Sequence, residues 1–388
     1  MRYYLIAGEA SGDLHGANLM KGLLRHDPQA QFRFWGGDKM AAVGGAGNLA
    51  RHYKTASFMG FVEVVMNLPT ILGQLRECKA DVAAYAPDVL ILIDYPGFNF
   101  KMAKFAHLAG IPTFYYISPK VWAWKESRVK LIRKYVDRLF IIFPFEVEYF
   151  RRRGIEAIYE GNPIEDVLVE QKRSIPSREA FLAENGLDDR PIVALLAGSR
   201  KTEIRYNLPF MAKLAAEFPG YQFVVGGVSW LDRSLYDAVL GGESPVKYVC
   251  DKTYPLLAHA EAAVVTSGTA TLETALLGTP EFVCYRAGSV TIAIGRLLIR
   301  SIRYISLVNL IMDREVVREM IQGDMEVRHA AEELRAVLPG GAKHEKMLAD
   351  YAALRERVGG PGASDRFAAR MVTLLRERLA SSETPKTE

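Results

Sequence analysis

Val89-Leu90-Ile91-Leu92-Ile93-Asp94-Tyr95-Pro96-Gly97-Phe98-Asn99 is the stretch that decides the fold. Its first five residues are apolar without alternation. A strand with one wet face alternates; an unbroken apolar run is what a parallel strand shows when helices cover both faces. Asp94 then stands at the carboxyl edge of that strand, where ligands of open α/β sheets bind. Burial there would raise its pKa and make it a better base, although it could also simply cap the turn. Pro96 and Gly97 should form a rigid turn that keeps the next helix from starting before Phe98.

The same grammar extends outward. Arg2–Ala7, Gln31–Trp35, Thr113–Ile117, Arg138–Phe143 and Ile155–Tyr159 read as strands, with helices at His15–Arg25, Phe98–Ala109, Lys125–Tyr135 and Pro144–Arg153. A second series starts near Pro191, with strands at Ile192–Ala197, Tyr221–Val225, Val246–Cys250, Ala262–Thr266 and Glu281–Tyr285. Its helices are Glu203–Phe218, Asp232–Leu240, Tyr254–Ala260 and Thr271–Leu277. Arg314–Ile321, Glu326–Val337, His344–Arg357 and Asp365–Leu379 read as helices too. Strand–helix alternation predicts two doubly wound α/β domains with right-handed crossovers, facing a central cleft. The polar stretch Glu170–Ser177 reads as the linker. The expected domains are 1–170, 177–340, and C-terminal helices over 341–380 that pack back on the first.

Composition narrows the class. With 388 residues, 49% hydrophobic and 24% charged, the chain is an ordinary globular protein, not a collagen, a disordered tail or a disulfide scaffold. Lys and Arg number 49 against 45 Asp and Glu, a balance that argues against a dedicated nucleic-acid binder. Cys78, Cys250 and Cys284 are too scattered for a zinc site or disulfide framework, which suits a reducing cytosol. The first apolar run is too short for a secretory signal, so the mature protein is expected to start at Met1. No apolar run reaches the roughly 18 residues of a spanning helix.

Three more strand ends carry candidate chemistry. Gly8-Glu9-Ala10-Ser11-Gly12-Asp13-Leu14-His15-Gly16 follows the first strand, and its glycines would let a ligand approach the backbone. It lacks both the G-x-G-x-x-G spacing and the P-loop lysine. It could equally be a tight turn capped by Ser11 or Asp13. Arg200, in Ala197-Gly198-Ser199-Arg200, suits a phosphate or else a surface ion pair with Glu203. Thr266-Ser267-Gly268-Thr269-Ala270-Thr271-Leu272-Glu273 opens a helix with no bulky side chain, as a pyrophosphate requires. Glu273, one turn in, can accept two ribose hydroxyls; the alternative is an irregular capping arrangement. No Asp-x-Asp pair, HExxH or G-x-S-x-G elbow occurs, so metal catalysis and serine hydrolysis fall away.

Two greasy stretches remain. Phe61, Val64, Val65, Leu68, Ile71 and Leu72 recur at helical spacing, and residues 294–303 mix apolar residues with Arg296, Arg300 and Arg303. Either is compatible with core or with an anionic membrane surface.

Taken together the motifs resemble one family, the lipid-A-disaccharide synthases, which are GT-B glycosyltransferases. The resemblance runs from Ala7 to about Gln322. Its residues are Ala7–Asp13, Phe58-Met59-Gly60-Phe61-Val62-Glu63-Val64, Ile93–Asn99, Tyr116-Ile117-Ser118-Pro119-Lys120-Val121-Trp122-Ala123-Trp124, Ala197–Arg200, Thr266–Glu273 and Ser306-Leu307-Val308-Asn309-Leu310. One departure is Gly161-Asn162-Pro163, where many members carry Gly-His-Pro. Asn162 keeps only hydrogen bonding there, or the loop is purely structural.

The resemblance implies transfer of 2,3-diacylglucosamine from its UDP conjugate to the 6-hydroxyl of 2,3-diacylglucosamine 1-phosphate, with inversion. Asp94 matches the family's proposed base. Arg200, Ser267, Gly268 and Thr269 would hold the diphosphate, Glu273 the ribose, and Asn309, Glu319 and Gln322 a polar set near the donor. Glu9, Ser11, Gly12 and Asp13 would shape the acceptor side. Phe61, Val64, Val65, Leu68, Leu72, Arg296, Arg300 and Arg303 become candidates for acyl-chain and phospholipid contact at the cytoplasmic face of the inner membrane. No cofactor, metal or nucleic acid is implied, and the chain would be a monomer or homodimer. Rival readings are a peptidoglycan N-acetylglucosaminyltransferase-like enzyme, a UDP-N-acetylglucosamine epimerase-like enzyme, and a non-catalytic UDP-sugar sensor.

Overall fold

The computed structural model describes residues 1–55, 68–121, 126–242, 244–286 and 303–383. They form two compact units, Met1–Pro163 with Gly359–Glu388, and Ile164–Val358.

In chain order the first unit contains β1 (Arg2–Ala7), α1 (Ala10–His26), β2 (Gln31–Gly36), α2 (Asp38–Gly44), β3 (Leu49–His52), α3 (Leu68–Tyr85), β4 (Val89–Ile93), α4 (Pro96–Leu108), β5 (Thr113–Tyr116), α5 (Val129–Tyr135), β6 (Arg138–Ile141), α6 (Pro144–Arg151) and β7 (Ala157–Tyr159). The second contains α7 (Ile164–Lys172), α8 (Arg178–Asn185), β8 (Ile192–Leu196), α9 (Lys201–Lys213), β9 (Gln222–Gly227), α10 (Arg233–Leu240), β10 (Lys247–Cys250), α11 (Thr253–Ala258), β11 (Ala260–Val265), α12 (Thr269–Leu277), β12 (Glu281–Tyr285), α13 (Leu307–Met312), β13 (Glu319–Ile321), α14 (Val327–Val337) and α15 (His344–Val358). α16 (Ala363–Glu383) returns to the first unit. The first sheet has strand order β3-β2-β1-β4-β5-β6-β7 and the second β10-β9-β8-β11-β12-β13. Every pairing is parallel. The doubly wound α/β reading therefore holds in both halves.

The unbroken apolar runs divide between two cores. Tyr3, Leu5, Ile91 and Ile93 face α1 and α16, while Tyr4, Ile6, Leu90 and Leu92 face α3, α4 and α5. Gly22 makes the α1–α16 contact possible: a Cβ there would lie 2.7 Å from the Ala368 Cβ. Arg366 Nε donates to the Glu160 carbonyl at 2.8 Å, and Arg378 pairs with Asp137 at 2.9 Å, fixing α16 along its length.

Local details differ from the sequence expectations for physical reasons. α4 begins at Pro96, because proline at a first helical position lacks only an N–H that would go unpaired there. α1 begins at Ala10, so Ser11, Gly12 and Asp13 lie in its first turn, where an acid favours the helix dipole. Glu319–Ile321 is an edge strand parallel to β12, not the end of a helix. The chain passes between units at Pro163, ahead of Glu170–Ser177, since α7 packs on α12. Phe61, Val64, Val65, Arg296 and Arg300 lie outside the described residues, as does the side chain of Leu68.

Candidate active site

β4 is followed directly by Asp94 and Tyr95, both left-handed, with φ of 44° and 45°. Ile117, at the end of neighbouring β5, has φ of 61°. A bulky or β-branched residue there is strained by ~1–3 kcal/mol, and such strain gathers at functional sites. Three hydrogen bonds hold the turn. The Tyr115 hydroxyl donates to the Asp94 carbonyl at 2.6 Å, Asn99 Nδ2 donates to the same oxygen at 2.9 Å, and the Asp94 N–H donates to the Tyr116 carbonyl at 3.2 Å. Tyr115 and Asn99 were not singled out by sequence reasoning. Asn99 lies only five residues on, within the same turn, whereas Tyr115 is brought there by the pairing of β5 with β4.

Asp94 is exposed as a residue, yet the protein around its carboxyl is dense enough to weaken hydration. The wider surroundings govern its charge. Burial first, and the Glu9 carboxylate second, push its carboxyl up to about 6, against the opposing pull of Lys120, the Tyr95 N–H and Arg128. Glu9 is the exposed cap residue of α1, so the first motif loop and Asp94 share one electrostatic neighbourhood. Gly8 is needed between them, because a Cβ would sit 2.3 Å from the Tyr95 ring.

Other members of that motif turn inward. Asp13 is buried and accepts from the N–H groups of Gly37 at 2.7 Å, Lys39 at 3.1 Å and Met40 at 3.0 Å. Both its oxygens thus cap α2. Gly12 faces Ala7, where a Cβ would approach to 3.2 Å, and permits α1 to lie close on β1. Ser11 is exposed. Asn162 is buried.

In the second unit, Gly198 has φ of 108° and brings its backbone against Glu203. Glu203 accepts from the Ser199 N–H at 3.0 Å and pairs with Arg200 at 3.1 Å. The Arg200 side chain is 76% exposed. A surface pair of this kind is worth ~0–1 kcal/mol, so little opposes a swing of the guanidinium toward an anion.

Gly268 caps α12 with a φ of 142° and no side-chain cap; the Thr271 N–H turns back to the Gly268 carbonyl at 3.4 Å, and the N–H groups ahead of it are placed to meet a ligand. Ser267 Oγ donates to the Ile305 carbonyl at 3.0 Å; Thr269 is exposed. Glu273 does not cap. It accepts from the Tyr254 hydroxyl of α11 at 2.8 Å, and burial pushes its carboxyl up, partly countered by that bond.

Asn309 and Glu319 form an internal clamp. Asn309 is fully buried; its Nδ2 donates to Val317 O at 2.8 Å and Glu319 Oε1 at 2.9 Å, while Oδ1 accepts from Val316 and Val317. Glu319 also accepts from the N–H groups of Ile305 and Ser306, both at 2.9 Å. The pair ties the start of α13 to β13. Gln322, with φ of 56°, offers its carbonyl to Arg286 at 3.3 Å. Asn207, also missed in the sequence, accepts from the Arg286 N–H at 2.7 Å and sets the end of β12. Among the described residues no cluster of three or more His, Cys, Asp or Glu could hold a metal.

A family model described as lipid-A-disaccharide synthetase matches residues 3–366 of the chain. The chain belongs to that family. The lipid-A-disaccharide synthase of Myxococcus xanthus is 40% identical over 380 residues, covering 96% of this chain and 97% of that one. The Syntrophus aciditrophicus synthase is 38% identical, with the same coverage. Among solved structures, the S. aureus MnaA–UDP co-structure matches with a TM-score of 0.66 at 12% identity, covering 97% of each chain. Neisseria meningitidis UDP-GlcNAc 2-epimerase bound to UDP-GlcNAc matches at 0.62 and 13%, covering 97% of this chain and 100% of that one. At such identity these likenesses show the fold alone, which is GT-B. The fold is shared with an epimerase; membership of the synthetase family separates the two, and makes the chain an enzyme of lipid A disaccharide synthesis.

Proposed function

We propose that this chain joins a 2,3-diacylglucosaminyl group, delivered as its UDP conjugate, to the 6-hydroxyl of 2,3-diacylglucosamine 1-phosphate. The observation that carries the reading is the strained end of β4, which presents a carboxyl with its pKa near 6. Asp94 takes the proton of the acceptor hydroxyl as its oxygen attacks the anomeric carbon. The carbon–oxygen bond to UDP breaks on the opposite face, so one displacement inverts the centre. The N–H groups of α12 and the Arg200 guanidinium offset charge on the departing diphosphate, and Glu273 receives the ribose hydroxyls. Asn309, Glu319 and Gln322 act by shaping the donor side, and Glu9 and Ser11 line the acceptor side. The test is UDP release in EDTA with both substrates: acceptor-dependent release with a disaccharide product is expected, and release without acceptor, or none, counts against the reading.

Donor binding is separable from chemistry. Arg200→Ala and Glu273→Gln should each weaken UDP binding about tenfold, as loss of one charge-assisted contact does. Calorimetric titration reads this directly, and unchanged affinity in both discards the donor assignment.

Contact with anionic phospholipid draws support from the outer face of α3, α4 and α5. Arg76, Lys101, Lys104, Lys130, Arg133 and Lys134 are exposed there, without an acidic partner among the described residues. α4 and α5 contain no acid, and in α3 Glu77 and Asp81 are already paired with Arg51 and Arg33. Leu72 at 41% and Leu108 at 74% exposure add apolar contact on the same layer. Arg303, stacked 5.1 Å from the Tyr304 ring, belongs to the other unit. At ~1 kcal/mol per cation near an anionic surface, combining Lys101→Glu, Lys104→Glu and Lys130→Glu should reduce vesicle binding on the order of a hundredfold or more. Flotation with anionic vesicles at low salt measures it; unaltered flotation would place the contact elsewhere.

A further inference from the structure

Trp230 is the least protected aromatic side chain among the large apolar residues described, at 67% exposure, and no part of the site above uses it. Its turn follows β9 and is firmly built. The Ser229 N–H donates to Asp251 at 3.0 Å, the Val228 N–H reaches the Tyr236 hydroxyl at 3.4 Å, and Asp232 caps α10 through the Ser234 N–H at 2.7 Å. The indole is held as well. Nε1 donates to the Ser199 carbonyl at 3.2 Å, at the neighbouring strand end that carries Arg200. An exposed tryptophan tethered by its N–H keeps a ring face open in a fixed place, which a freely rotating one does not.

The sheet order supplies the direction. β9 is separated from β11 by β8 alone, so its end lies ~10 Å along the carboxyl edge from the one that opens α12. Glu273 of α12 is bonded to Tyr254, whose helix follows β10, on the β9 side of the sheet. A nucleotide with its diphosphate at α12 and its ribose at Glu273 therefore extends its base toward β8 and β9.

We propose that Trp230 is the stacking platform for the nucleobase of the donor, and so a positioning residue for the sugar nucleotide. This rests on the donor assignment made above. Stacking tolerates any base with a flat π face, so Trp230 contributes affinity and placement, while discrimination of uracil falls to other groups.

The experiment compares UDP with ribose 5-diphosphate, which lacks the base, on wild-type protein, Trp230→Ala, Trp230→Phe and Glu273→Gln. Trp230→Ala should weaken UDP about tenfold, equivalent to ~1.4 kcal/mol, and leave ribose 5-diphosphate unchanged. Trp230→Phe should recover most of the loss. In turnover, Trp230→Ala should raise KM for the donor at nearly constant kcat, and the UDP-induced change in tryptophan fluorescence should disappear. Equal loss for both ligands makes Trp230 a structural support and overturns the proposal. UDP affinity unchanged in Trp230→Ala but weakened in Glu273→Gln overturns it while the donor site stands. Affinity unchanged in both variants removes the donor site and the proposal together.

Discussion

Asp94→Asn should fold as the parent does and lose ~10²–10⁴-fold in turnover, the usual contribution of a positioned general base. Asparagine is the right replacement because Asp94 sits at φ of 44°, and asparagine tolerates the left-handed region better than most residues. Alanine would add backbone strain to the loss of the carboxylate and confuse the two. The pH profile gives an independent reading. The base works only when ionised, and its carboxyl lies at about 6. The rate should fall roughly tenfold per pH unit below that value and level off above it. The acid limb should vanish in Asp94→Asn. A variant that keeps near-normal kcat would sink the assignment, and a variant that unfolds is identified by its melting curve.

Phe367→Ala carries the largest expected effect on stability. Phe367 lies on α16, is fully buried, and packs edge-on against Tyr116 at 5.2 Å and Phe140 at 6.1 Å between ring centroids. Truncating a buried phenylalanine costs ~3–5 kcal/mol, since the cavity collapses only partly. Here the loss should also reach the site, because the Asp94 N–H bonds to the carbonyl of the same Tyr116. Urea unfolding of the two proteins measures the difference; a change below ~1 kcal/mol would show that α16 contributes little to the first unit.

These two residues mark the boundary between local and tertiary information. The doubly wound class was legible in the chain because Val89–Ile93 and Ile192–Leu196 are apolar at every position, and only strands covered on both faces tolerate that. Asp94 was legible for the same reason: an acid directly after such a run has to fall at the sheet's carboxyl edge. The position of β13 was not, since three residues of edge strand have too short a period to stand out from a helix.

What individual motif residues do depended on partners distant in sequence. Asp13 looks like a ligand-facing acid until α2 folds over it, 24 to 27 residues away, and takes both oxygens. That Asn309 and Glu319 bond each other and the start of α13 was likewise invisible in the sequence. Glu273 could have capped its own helix; the Tyr254 hydroxyl, 19 residues away, engages it instead. Strand periodicity is a property of neighbours along the chain, so sequence carries it. Hydrogen-bond satisfaction of a buried polar group depends on which segments meet in space, and only the tertiary structure decides that.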